Sequence, residues 1–420
     1  MSLAGQDSAA RSIAEAVARG SYGRLVALLA MRTRDVAAAE DALAEAFAAA
    51  LVSWPEHGCP ANPEGWLMTV ARRRAIDAAR HRSIGDALFN ELALLADEIG
   101  DSDDSRAGGL PDRRLALLFA CTHPALDAAI RTPLMLQVVL GLETTTIASA
   151  FLVSPAAMSK RLARAKNKMR DAGVPFVVPE RDELPGRLAA VLEAIYAVYS
   201  EGWSDPVGGE IVRQDLTGEA LFLAHLLVEL QPDEPEALGL LSLMLYAHAR
   251  REARRDADGN YVPLSAQNPA TWNAPMLDAA GALLRRASAY KTIGRFQLEA
   301  ALQSAHVHRC RTRQPNWEEV VQLYDALLAI AQSPVVAVNR ALALAERDGP
   351  RAALEALAPY ADDRRLAGYQ PYHAARADLF ARAGAVPEAL ASYDLAIGLA
   401  SDPAVRRFLQ HRRAALRSAG

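Results

Sequence analysis

Apolar positions recur at three- and four-residue spacing along almost the whole chain, with Ala, Leu, Arg and Glu as its commonest carriers, and β-branched alternation is missing. That period is the helical one, so the chain is expected to be all-α. Turn formers and changes of charge cut it into four parts, residues 10–83, 84–111, 112–172 and 173–420. In the first, an acidic amphipathic helix is predicted from Asp35 to Trp54 and a basic helix from Glu64 to Arg82. Pro55, Gly58, Pro60, Asn62 and Pro63 form the loop between them. The second gathers Asp86, Glu91, Asp97, Glu98, Asp101, Asp103 and Asp104 around one short apolar stretch, the composition of a flexible acidic linker.

The third part is predicted to end in two short helices joined by a tight turn, Thr144 to Phe151 and Ser154 to Arg170, a helix-turn-helix. Ser154 is a good N-cap and Pro155 suits the first helical position, so the second helix should start sharply. Along it Met158, Leu162, Ala165 and Met169 make the buried stripe. Ser159, Lys160, Ala163 and Arg164 are expected to face outward, with Arg161, Lys166 and Lys168 near the edges. Short and basic side chains so placed suit a helix that reads base edges while its flanking cations neutralise phosphates.

Beyond the proline-limited run Gly173-Val-Pro-Phe-Val-Val-Pro179, helices of about 12 to 16 residues follow one another from Leu184 onward, separated by Pro and Gly. Asp258-Gly259, between short extended flanks, suggests a hairpin. The local D-x-D-G-N string has Tyr261 where a calcium loop needs glycine and Gln267 where it needs a bidentate Glu, so calcium is not expected there. Near the C-terminus Ala377, Phe380, Gly384, Ala389, Tyr393 and Ala396 match the spacing of a tetratricopeptide helix pair. A weaker copy runs through Ala341, Leu344, Gly349 and Ala353.

Charge adds a division that the formal total of -4 conceals. Residues 1–83 carry about +1, 84–111 about -6, 112–170 about +6 and 171–420 about -5, the pattern of a protein that meets DNA through one module. Cys59, Cys121 and Cys310 lie too far apart for a disulfide framework or a metal knuckle, and are expected to be reduced and packed. The run His306-x-His308-x-Cys310 has no second ligand cluster to answer it, so no metal and no cofactor are expected. No Walker-type glycine loop, G-x-S-x-G elbow or H-E-x-x-H occurs, and the chain is not expected to be an enzyme. Charges interrupt every apolar stretch short of a membrane span and no signal pattern opens the chain, which predicts a cytoplasmic protein.

Asp35-Val-Ala-Ala-Ala-Glu-Asp-Ala-Leu-Ala-Glu-Ala-Phe47, the turn-rich loop, and Trp66-Leu-Met-Thr-Val-Ala-Arg-Arg-Arg-Ala-Ile-Asp-Ala-Ala-Arg80 resemble regions 2.1 to 2.4 of the extracytoplasmic-function (ECF) sigma factors of bacterial RNA polymerase. The helix-turn-helix resembles region 4 of the same family. The tail resembles that of the subgroup with a C-terminal tetratricopeptide-like domain, including the Ala172 to Pro179 junction and Ala194-Ile-Tyr-Ala-Val-Tyr-Ser-Glu-Gly202.

The resemblance implies a protein that directs transcription initiation, with core RNA polymerase (β′ coiled coil and β flap) and promoter DNA as partners. It places core binding on Asp41, Ala44, Glu45 and Phe47, carboxylates framing an apolar knob. Minus-ten contacts fall to Trp66, Arg72, Arg73, Arg74, Arg80 and Arg82, beside a loop from His57 to Gly65 that captures an unstacked base. Arg73 stands where many relatives carry Asn, so a phosphate contact is the role expected of it. Minus-thirty-five contacts fall to Ser159, Lys160, Arg161, Ala163, Arg164, Lys166 and Lys168. The linker is implied to thread the polymerase's basic exit channel. The acidic repeat domain, tethered beside a basic DNA-reading module, is expected to regulate it by masking region 4, or else to be required for activity or to bind an unknown protein. Two rivals stand beside this: an adaptor or scaffold whose sigma-like half no longer binds polymerase, and an operator-binding regulator acting through region 4 alone.

Overall fold

The computed structural model describes residues 3–82, 113–151, 153–180, 183–203 and 210–418, and the acidic linker lies outside them. The described chain is all-α, as its periodicity requires; its extended pairing is one isolated antiparallel bridge, Arg255 with Tyr261. The chain divides into two compact units, Met1–Glu201 and Gly202–Gly420.

The first unit opens with α1 (Leu3–Thr33), α2 (Val36–His57) and α3 (Pro63–Arg82). Asp35 caps α2, its carboxylate accepting from the amides of Ala37 (3.0 Å) and Ala38 (3.2 Å). The helix runs through Pro55 to His57, slightly beyond its predicted end, because a proline in the last turn keeps a helical φ and forfeits only one donor. Ala39, Ala42, Leu43, Ala46, Ala50 and Trp54 form its buried face. The carboxylate of Glu64, at the start of α3, accepts from Ser21 and Arg24 of α1, which fixes how α3 leaves the loop.

Among the described residues four helices follow: α4 (Arg114–Cys121), α5 (Ala128–Val138), α6 (Thr144–Ala150) and α7 (Pro155–Asp171). Ser154 Oγ accepts from the Ala157 amide at 3.3 Å, so α7 begins where its cap dictates, and Met158, Leu162, Ala165 and Met169 are all buried. The unit closes with α8 (Leu184–Trp203). Arg187 of α8 donates to the Phe119 carbonyl at 2.7 Å, so this helix packs back onto α4. The boundary between compact units thus falls about twenty residues after the proline-limited run that ends at Pro179.

The second unit contains α9 (Glu210–Leu230), α10 (Pro235–His248), α11 (Ala274–Ala289), α12 (Arg295–Thr312), α13 (Trp317–Ala331), α14 (Pro334–Arg347), α15 (Pro350–Leu357), α16 (Arg364–Ala367), α17 (Gln370–Arg382), α18 (Val386–Leu399) and α19 (Pro403–Ser418). Successive helices pack antiparallel through small residues: Ala377, Ala389 and Ala396 are fully buried around Tyr393, and Ala341 and Ala353 around Leu357. Gly384, at φ +80°, makes the α17–α18 turn, a conformation that a side chain disfavours. Arginines strap neighbouring pairs: Arg382 reaches Glu346 and the Ala345 carbonyl, Arg347 reaches Glu318, and Arg340 reaches Asp325.

The hairpin expected at Asp258-Gly259 is present, and Asp256 holds it together. Its carboxylate accepts from the amides of Asp258 and Asn260 and from the Asn260 side chain, which holds it below the usual carboxylate range. This hairpin meets the last helix. Arg255 pairs with Asp402 at 2.5 Å, and Tyr261 stacks edge-on against Phe408 with ring centroids 5.4 Å apart. A helical array in which each pair touches only its neighbours would lack such a contact. Asp402 also caps α19 through the Ala404 amide at 2.8 Å. Replacing Asp402 with Ala removes the cap and the ion pair together, and is expected to lower the unit's stability by about 2 kcal/mol in thermal or urea unfolding.

Candidate core-polymerase and nucleic-acid interface

Three helices of the first unit carry the candidate functional residues. On α2, Asp41, Ala44 and Glu45 are exposed and Phe47 is half-buried. At 100° per residue, Ala48, Leu51 and Val52 continue the stripe that Asp41, Ala44 and Glu45 begin. Leu51 is 45% exposed and Val52 69% exposed, so among the described residues the stripe runs from an acidic end to an exposed apolar end. The three-and-four spacing from Ala44 through Ala48 carries the stripe past Phe47, the last residue of the core-binding set that the resemblance implies.

On α3, Leu67, Met68 and Ala71 are buried, which turns Arg73 and Arg74 to solvent and leaves Arg72 half-buried. Arg72 lies near Arg32, whose guanidinium is held below its ordinary range by burial first and by the Arg72 charge second. Arg74 and Glu45 approach to 3.4 Å, so the basic row and the acidic stripe meet at one exposed ion pair. Trp66 is half-buried and packs edge-on against the buried Trp54, ring centroids 5.6 Å apart. The side chains of Arg80 and Arg82 lie outside the described residues.

On α7, Ser159, Lys160, Arg161, Ala163, Arg164 and Lys168 are exposed. Lys166 is placed differently from the rest: its ammonium sits 2.5 Å from Glu40 of α2, and both side chains are only 13% exposed. Burial, opposed by the lysine, raises the Glu40 carboxyl above the usual range. In this structure Lys166 therefore leaves the phosphate-facing row assigned to it. Helix amphipathicity gave no sign of this, because the partner lies on a helix more than a hundred residues earlier.

Candidate chemistry elsewhere resolves into packing. His306 is pushed down to about 3, by burial above all, and its Nδ1 accepts from Arg309 at 2.8 Å; Arg309 in turn lies over the Trp317 ring at 3.8 Å. Cys310 is half-buried, and Cys121 is fully buried, its thiol raised by that burial. Cys59, expected to be packed, is instead exposed, because the loop after α2 leaves the core at Gly58. His123 Nδ1 accepts from the Ala125 amide. Among the described residues no group of His, Cys, Asp and Glu is arranged to hold a metal, and no helix is long and apolar enough to cross a membrane.

Residues 19–84, which hold the exposed stripe of α2 and the basic row of α3, match the family model of sigma-70 region 2. Residues 187–288 match a family of unknown function, DUF6596. A further similarity is to the probable RNA polymerase sigma factor RfaY of Xanthomonas campestris pv. campestris, 33% identical over 163 residues, which are 36% of this chain and 40% of that protein. Together these findings support the sigma-factor class. The uncharacterized protein R00370 of Rhizobium meliloti is 40% identical over 386 residues, 90% of this chain and 89% of its own. The chain belongs to the family of that protein. No solved structure matches it.

Proposed function

We propose that the chain is a sigma factor of the ECF type, which binds core RNA polymerase in the cytoplasm and directs it to promoters without catalysing a reaction itself. The observation that carries this reading is the exposed stripe of α2 inside the sigma-70 region 2 match. Asp41 and Glu45 are its carboxylates, and Ala44, Ala48, Leu51 and Val52 its apolar surface, with the half-buried Phe47 at the margin of the core. An acidic and apolar ridge is what a basic-edged coiled coil, such as that of the polymerase β′ subunit, requires of a partner.

Arg72, Arg73 and Arg74 would hold phosphates of the non-template strand at the minus-ten element, with Arg80 and Arg82 further along the same helix. Trp66, already committed to Trp54 on one side, would wall the pocket for an unstacked base. The pair α6 and α7 would act as the helix-turn-helix that reads the minus-thirty-five element through Ser159, Lys160, Ala163 and Arg164 and engages the β flap. Arg161 and Lys168 would lie on the flanking phosphates. The second unit, a tetratricopeptide-like array, would regulate this activity or bind a further protein.

Incubation of the purified chain with core RNA polymerase, followed by gel filtration, tests the reading. Co-elution is expected. Separate elution at micromolar concentrations would favour an adaptor that works through the second unit alone.

A further inference from the structure

Arginine is spread unevenly over the second unit. Residues 202–402 hold 19 lysines and arginines against 25 carboxylates, whereas α19 holds five arginines and no carboxylate in its 16 residues. The acidic total of the tail therefore conceals a strongly basic element in its last helix.

Packing sorts those arginines into two groups. Ala404 and Leu409 are buried, and Phe408 and Leu416 pack with them around Tyr393 and Ala396 of α18. Beside this apolar side Arg412 donates to Asp378 at 2.7 Å and Arg413 pairs with Asp394, so these two strap the helix down. Arg406, Arg407 and Arg417 are exposed, and among the described residues none of them meets a carboxylate. Arg406 keeps one bond, to the Ala400 carbonyl. Arg406 and Arg417 stand eleven positions apart, so they share one line along the helix, about 16 Å from end to end. Arg407 and His411 form a second line beside it. Gln410 and Ala414 lie between the two lines and are exposed, so the face offers cations and no apolar pocket.

A surface of this kind answers density of negative charge rather than shape. Duplex DNA presents one charge for about every 1.7 Å of its axis, and guanidinium forks fit its phosphates. A basic helix that settles on a lipid surface does so by sinking its apolar side, and here that side is taken up by α18. Tethering also favours DNA: a chain already held on a duplex makes each further weak contact at high effective concentration.

We propose that α19 is a further DNA contact: Arg406, Arg407 and Arg417 grip backbone phosphates of duplex DNA without reading sequence, and prolong the life of the promoter complex. The proposal rests on the sigma-factor reading for the duplex that α19 meets, and on the helix itself for the surface. The second unit then adds affinity for DNA, which is opposite in sign to an acidic mask over region 4.

The first measurement is fluorescence anisotropy of the full chain, without polymerase, on a labelled duplex of mixed sequence over a range of salt. Arg407→Gln/Arg417→Gln is expected to weaken binding about tenfold at low salt, and to make the slope of log K against log salt shallower by roughly two. Among the described residues neither side chain has a partner, so the helix keeps its packing, and an unchanged unfolding temperature checks this. Arg407→Lys/Arg417→Lys should restore most of the affinity and of the slope, because a phosphate is neutralised by either cation. The second measurement uses the chain with core polymerase on genomic fragments from which it initiates. Complexes of the Gln variant should dissociate about tenfold faster after addition of heparin, with start sites unchanged.

Binding and slope equal to the parent's, in a folded Gln variant, would overturn the contact. So would polymerase complexes as long-lived as the parent's. A loss confined to vesicles of equal parts phosphatidylserine and phosphatidylcholine would overturn it in favour of a membrane surface. Weakened duplex binding by the Gln variant, with parent and variant alike failing to bind core, would instead overturn the sigma-factor reading and leave α19 as the DNA contact of an adaptor.

Discussion

Asp41→Arg/Glu45→Arg is expected to abolish retention of the chain by core RNA polymerase, weakening the complex at least ~tenfold at low salt. Both carboxylates are exposed on α2, and the helix buries its opposite face, so reversing them leaves the fold standing. The local cost is the Glu45–Arg74 pair, which is more than half exposed on both sides and contributes little to stability. What changes is the field of the ridge, from an acidic end that attracts a basic-edged partner to one that repels it. Binding to immobilised core at several salt concentrations checks this. The defect should shrink as salt rises, because screening removes the repulsion as well as the attraction. A companion substitution, Val52→Ser, should weaken binding without altering the salt dependence.

The second large effect concerns the platform under α7. Phe119 is fully buried in α4, and Leu117, Leu118, Leu134 and Met135 of the same four-helix region are buried to 1% or less. Phe119→Ala removes most of a large side chain from a close-packed site, and is expected to cost about 3–5 kcal/mol. For a unit of this size that lowers the unfolding transition by roughly 10 °C. The hydrogen bond from the Arg187 guanidinium to the Phe119 carbonyl involves no atom of the removed ring, so the loss reports on packing. Calorimetry of the full chain checks it; a shift below about 2 °C would mean that α4 and α5 collapse around the gap.

Local rules made the individual helices legible. Asp35 and Ser154 cap α2 and α7 where their residue types suggest, and the stripe of Met158, Leu162, Ala165 and Met169 is buried position by position. Small residues at Ala377, Ala389 and Ala396 likewise gave the close approach of α17 and α18. The long helix α1 carried no such sign, since Gly20 and Gly23 interrupt its pattern. Only the packing shows why Gly23 is there, as the point where α1 meets the Val139 carbonyl.

Pairings between distant segments were the part that periodicity does not encode. Lys166 reads as one more cation on a basic helix until Glu40 is found beside it. Arg255 reads as part of a charged turn until Asp402 is found 147 residues away. In both cases one partner's local environment is ordinary, and the information lies in the complementarity of two surfaces. The outward run of the α2 stripe to Leu51 and Val52 was different: its spacing was visible in the sequence, and the exposure of those two side chains decides its meaning.

Transcription from a pool of genomic fragments, with core RNA polymerase and the purified chain, tests the central claim most directly. The expected result is a small set of discrete start sites that appear only when the chain is added and that disappear with Asp41→Arg/Glu45→Arg. Initiation no different from that of core alone, under conditions where the chain is folded and the polymerase active with another sigma factor, would contradict it.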